Sequence, residues 1–392
     1  MNKFKYYFVL LLAGIAIASC SKKDDDDTVV TPLRDYQEQY NADNDSIVKF
    51  LKTNYIENVT ADFDVKISKI PAGGTQTSIW DQQTYKLLSR DVYSDAITYK
   101  VYYLVLREGS GQSPTNTDKI SAAYSCYFLD NALVDSSYGL PFTANLFPYA
   151  NANTVVEGWS EIFPKFKTGT STTGNDGVIT YADYGAGVMF LPSGMGYYSG
   201  RGSIPAYTPL YFTFKLFDLQ RMDNEYTSTS SGRIFAGDGV PDYLEDLNGD
   251  GYLYDFRNTT KYPNPPKELI DDTDGDGIAD FVDFDDDGDG FTTRFEITKP
   301  TNQVGWGTLN SQPFYFGVSL YYPWEPMVDN PATPNVDETE PRGIPRRPTG
   351  DLTNPADPVE SANNPRKYTE EDYTATPRKR IHLDNSYPIK IK

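Results

Sequence analysis

Apolar and polar positions change period several times along the chain, and each change marks an element. Residues 6–18 (YYFVLLLAGIAIA) are an unbroken apolar run, preceded by Lys3 and Lys5 and followed by Ser21, Lys22 and four aspartates. The run is shorter than the roughly 20 apolar residues that a transmembrane helix requires. Over 33–56, Ile47, Phe50, Leu51 and Tyr55 recur at helical spacing, which predicts a short amphipathic helix with Asp45 or Ser46 as its N-cap. From about residue 62 to 106 the chain turns to β-like runs such as DFDVKISKI and YKVYYLVLREG, broken by Gly, Pro and Ser/Asp clusters. Strands are also predicted at 120–129, 188–192 and 210–219, where LYFTFKLFDL alternates cleanly. One helix near 156–168 interrupts them, and Pro164 must end or kink it. Many antiparallel strands around a single short helix predict an α+β domain. The insertion 170–187 (TSTTGNDGVITYADYGAG) fits a hairpin or a tolerated surface loop, and the loop is the favoured reading.

A basic start, the apolar run and small residues ahead of a cysteine form a secretory signal, so residues 1–19 are set apart from the fold. Ile17-Ala18-Ser19-Cys20 resembles a bacterial lipobox, which implies that Cys20 opens the mature chain and carries acyl groups. Two or more acyl chains anchor stably, because each buried CH₂ contributes about 0.8 kcal/mol. The SKKDDDD that follows resembles the export signal of surface lipoproteins, and an outer-membrane anchor on either the periplasmic or the cell-surface face is expected. Residues 20–32 read as a polar tether.

The other thiol, Cys126, has no partner, so stability must come from a core, a metal or both. A net charge of −20 argues against nucleic-acid binding. The 31 Tyr and 21 Phe suggest β-rich structure. His382, the only histidine, lies in 336–392, a Pro- and Asn-rich stretch that reads as extended or disordered. A Ser-His-Asp triad or a zinc site therefore has little to draw on.

Four motifs in order carry a resemblance to the FKBP-type peptidyl-prolyl isomerases over residues 124–216. They are Ala-Ala-Tyr124-Ser-Cys126, Val134-Asp135-Ser136-Ser137, Val155-Val156-Glu157-Gly158-Trp159, and Leu191-Pro192 to Tyr197 with Ile204-Pro205, Phe212 and Leu216. The resemblance implies an FKBP-like antiparallel sheet wrapped on a short helix, and a catalytic set of Tyr124, Asp135, Trp159 and Tyr197. Trp159 would form the floor under the proline ring, and Val134, Val155, Val156, Ile204 and Phe212 would bind substrate. Asp135 would accept hydrogen bonds near the twisted carbonyl, while the Tyr197 hydroxyl and the Val156 N–H would hold substrate carbonyls. No cofactor is implied for catalysis. Val134 replaces the usual Phe, Ala144 stands near another aromatic wall and Tyr198 replaces a Gly, which predicts a wider pocket.

Residues 235–296 hold eighteen acidic residues against four basic ones. Asp285, Asp287 and Asp289 with Gly290 and Glu296 fit the calcium loop D-x-D-x-D-G-x₅-E, in which alternate oxygens converge on one hard cation. Asp272, Asp274 and Asp276, with Asp280 at position 9 and Asp283 at position 12, are a second copy. Asp246, Asn248 and Asp250 begin a third, with Arg257 at position 12, and Asp238, Asp242 and Glu245 look like the trailing half of a degenerate earlier one. The repeats resemble thrombospondin type 3 or dockerin-like loops, so structural Ca²⁺ is expected. The expected order is a signal (1–19), a tether (20–32), an N-terminal helix and strands (33–98), and an FKBP-like domain (99–222). Acidic calcium repeats (235–297) and an extended or disordered C-terminal region (298–392) follow. Expected partners are proline-containing segments of exported proteins and, through the lipid, a membrane. The alternative is a non-catalytic surface scaffold with an inactive pocket.

Overall fold

The computed structural model describes residues 32–150 and 154–389. The signal segment, Cys20 and the tether up to residue 31 lie outside the described residues. The chain divides into Met1–Asp35 and Tyr36–Lys392, and the second unit holds the helices and strands of the fold. Among the described residues no helix is long and apolar enough to cross a membrane.

The first helix, α1, spans Tyr36–Thr53 and buries Ile47, Phe50 and Leu51 on one stripe. Asp45 and Ser46 lie inside it and not at its start, and the Ser46 hydroxyl donates to the Ala42 carbonyl. The helix begins earlier than the apolar spacing predicts because its first turns are fixed by polar contacts. Buried Asp43 accepts from the Ser193 N–H at 2.7 Å and from the Ser193 hydroxyl at 2.6 Å. A hairpin of β1 (Asn54–Val59) and β2 (Val65–Lys69) follows.

Next come β3 (Lys86–Ser94), β4 (Ile97–Arg107), β5 (Lys119–Phe128), β6 (Leu133–Ser136) and β7 (Phe142–Asn145). Helix α2 (Glu157–Ile162) continues into a 3₁₀ turn at Phe163–Lys165, so Pro164 ends the α-helix as its missing N–H requires. The chain then forms β8 (Thr170–Thr173), β9 (Ile179–Ala182), β10 (Gly185–Leu191) and β11 (Leu210–Gln220). One antiparallel sheet runs β3-β4-β10-β11-β5-β6, with β7 also paired to β5. Because the sheet starts at Lys86, a boundary at 99 would cut through β4; the helix and hairpin before it are the true N-terminal addition.

Strand alternation assigns the two faces. Met189, Leu191, Leu210, Phe212, Phe214 and Leu216 point to α2, while Val188, Phe190 and Tyr211 point to α1. Both faces are buried, which explains why β10 reads as a continuous apolar run. The 170–187 insertion is a hairpin, β8 on β9, and not a loop. Tyr181 stacks on Phe217 with centroids 4.8 Å apart, at the end of β11 remote from Leu210.

The acidic region follows the hairpin β12 (Tyr226–Thr229) and β13 (Gly232–Phe235), continues as turns with single 3₁₀ steps, and ends on the short helix Thr293–Glu296, capped by Thr292. It docks directly behind α2. Tyr252 donates to the Glu161 carbonyl at 2.8 Å, and Tyr254 reaches the Glu161 carboxylate at 3.0 Å. Arg90 pairs with that carboxylate at 2.9 Å and lies over the Tyr252 ring.

Among its described residues the C-terminal region has little regular structure: the hairpin β14 (Trp306–Leu309) and β15 (Gln312–Tyr315), the short helix Glu371–Thr374, and 3₁₀ turns at Thr301–Gln303 and Ile381–Leu383. It is nevertheless packed and not disordered. Ile344 and Ile381 join Val240, Ile297 and Tyr322 in a core, and buried Asp372 accepts from Thr349 at 2.8 Å, the Thr369 N–H at 2.7 Å and Arg378 at 2.8 Å. Side-chain bonds to a buried carboxylate replace a backbone ladder, which low apolar content did not reveal. His382 is fully buried here, and burial pushes its pKa down to about 3.

Candidate functional site

On the α2 face the open end of the sheet holds a cavity of about 430 Å³. Its walls come from β5, β6, β7, β11 and the turn after β10, and α2 closes its base. Val156 precedes α2 in extended conformation, and its carbonyl accepts from the Trp159 N–H at 2.9 Å. That turn carries the indole inward, where only 2% of Trp159 is exposed.

Trp159 meets Tyr124 at 5.2 Å and Phe212 at 5.6 Å, both edge-on. Phe142 completes the ring set 5.9 Å from the indole. Edge-to-face rings present carbon walls and add about 0.5–1.5 kcal/mol per pair beyond area burial. The indole N–H has no protein hydrogen-bond partner, so a polar donor stands at the base of an aromatic box.

All nine residues expected from the sequence line this cavity: Tyr124, Val134, Asp135, Val155, Val156, Trp159, Tyr197, Ile204 and Phe212. The Tyr124 hydroxyl donates to the Asp135 carboxylate at 2.6 Å, across the β5–β6 pairing. Burial and the adjacent carboxylate both push the Tyr124 hydroxyl pKa upward. Burial also raises Tyr197, against the opposing charge of Arg201, whose guanidinium lies 5.6 Å from its ring. Among the further lining residues, Phe142 and Arg201 had no signal in the sequence, and Cys126 stood in the Tyr124 motif without a role assigned to it. Phe142 restores part of the aromatic wall that Ala144 lacks, since Ala144 is buried in the core beside it. Burial pushes the Cys126 thiol up to about 12, so it acts as a small apolar wall and not a nucleophile.

The acidic loops bring together most of their expected ligands. Asp272, Asp274 and Asp276 place carboxylate oxygens within 4.8 Å of one another, as do Asp285, Asp287 and Asp289. Glu296 stands beside the second set; burial and then the Asp287 and Asp289 charges push its carboxyl up to about 10. Both Glu296 oxygens and one oxygen each of Asp287 and Asp289 are buried without a hydrogen-bond partner. Oxygen-only donors arranged this way fit a hard divalent cation.

Asp280 and Asp283 lie outside the first of these groups. Asp280 accepts from the Thr273 N–H and hydroxyl, both at 2.7 Å, and Asp283 accepts from the Phe284 N–H at 2.6 Å. They brace the loop. In the loop from Asp246 to Asp250, Gly251 donates to Asp246 at 2.7 Å and the Asn248 amide donates to the Glu268 carbonyl. Arg257 turns away to pair with Asp255 at 2.7 Å. Buried Asp271, which the motif does not include, sits beside Asp246 and Asp250, and burial with their charge pushes it up to about 7.

Residues 236–335 match a family model described as BamM_C, BamM C-terminal. Over 69 residues the chain is 38% identical to peptidyl-prolyl cis-trans isomerase Mip of Coxiella burnetii, an alignment covering 17% of this chain and 27% of that protein. The chain thus spans about a quarter of the length of that curated relative. A peptidyl-prolyl cis-trans isomerase from Pseudomonas syringae pv. tomato aligns at 21% identity over 31% of this chain and 76% of its own, with a TM-score of 0.24. FkpA from Escherichia coli aligns at 24% over 31% and 48%, with a TM-score of 0.25. The 69-residue alignment with Mip makes that part of the chain homologous to FKBP-type peptidyl-prolyl isomerases.

Proposed function

We propose that this chain is a lipid-anchored peptidyl-prolyl cis-trans isomerase of the outer membrane that acts on exported proteins. The observation that carries the reading is the aromatic box around Trp159, with the Tyr124–Asp135 hydrogen bond on its wall. Rotation about an X-Pro bond faces a barrier of about 18–20 kcal/mol because amide resonance holds it planar. A dry aromatic pocket favours the twisted imide, which is less charge-separated than the planar one. Trp159 holds the proline ring and Val155, Val156, Ile204 and Phe212 enclose it. Tyr197 and Arg201 at the rim supply donors for the carbonyls on either side. No proton is moved and no cofactor enters the step.

The acidic loops serve as a Ca²⁺-ordered support, and Cys20 supplies the anchor. A proline-isomerisation assay on a test peptide checks the catalytic reading. Wild type should accelerate exchange, and Asp135→Ala and Trp159→Leu should each lose at least about tenfold of that rate. Peptide binding without acceleration by wild type would instead identify a proline-binding scaffold.

A further inference from the structure

The contiguous acidic loops share one backbone pattern. In the loop from Asp285, Gly290 N–H at position 6 donates to Asp285 at 2.9 Å, and Asp289 N–H at position 5 donates to Asp287 at 3.1 Å. Phe291 N–H at position 7 then donates to Asp289 at 2.7 Å. The loops from Asp272 and Asp246 repeat all three bonds.

The same three bonds occur a fourth time, between residues that are not contiguous. Gly239 N–H donates to Asp223 at 3.0 Å, Asp238 N–H to Glu225 at 3.1 Å, and Val240 N–H to Asp238 at 2.8 Å. Asp223 and Glu225 thus occupy positions 1 and 3, the hairpin β12–β13 is inserted, and Asp238 and Gly239 occupy positions 5 and 6. Glu245 follows Asp238 by seven residues, as Glu296 follows Asp289. Gly239 has φ +105°, in the same left-handed region as Gly290 at +90°.

We infer that Asp223, Glu225, Asp238 and Glu245 form a fourth cation loop, split by an inserted hairpin, that binds Ca²⁺. The independent observation is the set of oxygens left over. Glu225, Asp238 and Glu245 are at most 1% exposed. One oxygen each of Asp223, Glu225 and Asp238 and both oxygens of Glu245 are buried without a partner. The loop from Asp285 likewise leaves unpartnered atoms at positions 3, 5 and 12, and both oxygens of Asp286 besides. Asp223, Glu225 and Asp238 converge within 4.8 Å, as do Glu225, Asp242 and Glu245, and Asp238, Glu245 and Asp286. Arg294, the basic residue beside Asp238, gives its hydrogen bond to the Gly237 carbonyl instead. Oxygen donors alone, with a Glu at position 12, select a hard divalent ion.

Asp223 and Glu225 directly follow β11, so this ion would tie the end of the sheet to the acidic module, independently of any property of the pocket. The test counts Ca²⁺ bound per full-length chain after equilibration with CaCl₂ and removal of free metal. Asp223→Asn and Glu245→Gln should each bind one ion fewer than wild type. Glu296→Gln should lose a different ion, so that the Glu245→Gln/Glu296→Gln pair loses two; an unchanged count in Glu296→Gln alone would count against the contiguous loop and leave the split one standing. Melting separates ligand loss from misfolding: Glu245→Gln should melt above wild type in EDTA and below it in Ca²⁺. An unchanged Ca²⁺ count in Asp223→Asn and Glu245→Gln, or a Glu245→Gln melt above wild type in both conditions, overturns the inference, because the cage then holds no ion and losing one carboxylate only relieves repulsion.

Discussion

Trp159 reaches its place only because the residue before it is small. A Cβ on Gly158 would come within 2.4 Å of Leu191 Cδ2, so a side chain there must displace the buried Leu191 side chain or move α2 off β10. Gly158→Ala should therefore destabilise the protein by about 1–3 kcal/mol in urea unfolding, the range for overpacking, although alanine is the better helix former. The pocket residues were legible only through the resemblance of four motifs to the FKBP-type isomerases, which implies Tyr124, Asp135 and Trp159 among the residues that line the cavity. Cys126 and Phe142 were not, since an apolar residue on a strand looks the same whether it lines a cavity or fills a core. Arg201 lies in a turn where neither period nor propensity marks a direction.

Helix α1 shows how an added element is held. Its Phe50 ring lies 6.0 Å from Phe190 and 5.4 Å from Tyr211, on the sheet face opposite the pocket. Phe50→Ala should cost about 3–5 kcal/mol, read by thermal or urea melting, with the pocket lining unchanged. The stripe of α1 was readable from its 3.6-residue period, but its start was not, because the Asp43–Ser193 contact joins residues 150 apart. The hairpin β8–β9 was hidden for a different reason. Its residues are almost all exposed, so no apolar alternation marks them, and its one firm contact is the Tyr181–Phe217 stack. Contiguous acidic loops are legible because their ligands repeat at fixed spacing; a loop interrupted by a hairpin has no such period.

At the scale of the whole molecule, the Ca²⁺ binding proposed above would make stability depend on pH and metal together. Without a cation, burial and neighbouring charge push Asp280 and Asp287 up to about 7 and Glu296 up to about 10. Raised carboxyl pKa values mean the fold favours the protonated forms. The stability they contribute is present below the ordinary carboxylate range and lost as pH rises through those values. In EDTA the melting temperature should fall from about pH 4 through about pH 7 and on towards about pH 10, while saturating Ca²⁺ should remove most of that fall, since metal requires the ionised ligands. A pH-independent melt in EDTA would show that these carboxyls are not stressed in the metal-free protein.

The contacts of Glu161 also set an order of events in folding. Helix α2 places this carboxylate in the interior, yet Tyr252 and Tyr254 lie 91 and 93 residues further along the chain. A growing chain makes the whole sheet, the pocket and Arg90 before either tyrosine exists. Until then the Glu161 carboxylate has Arg90 alone as its partner, and the missing Tyr254 hydrogen bond costs about 1–3 kcal/mol once the group is buried. The aromatic box is thus completed late: its floor is carried by a helix whose far side is sealed only when the acidic module arrives.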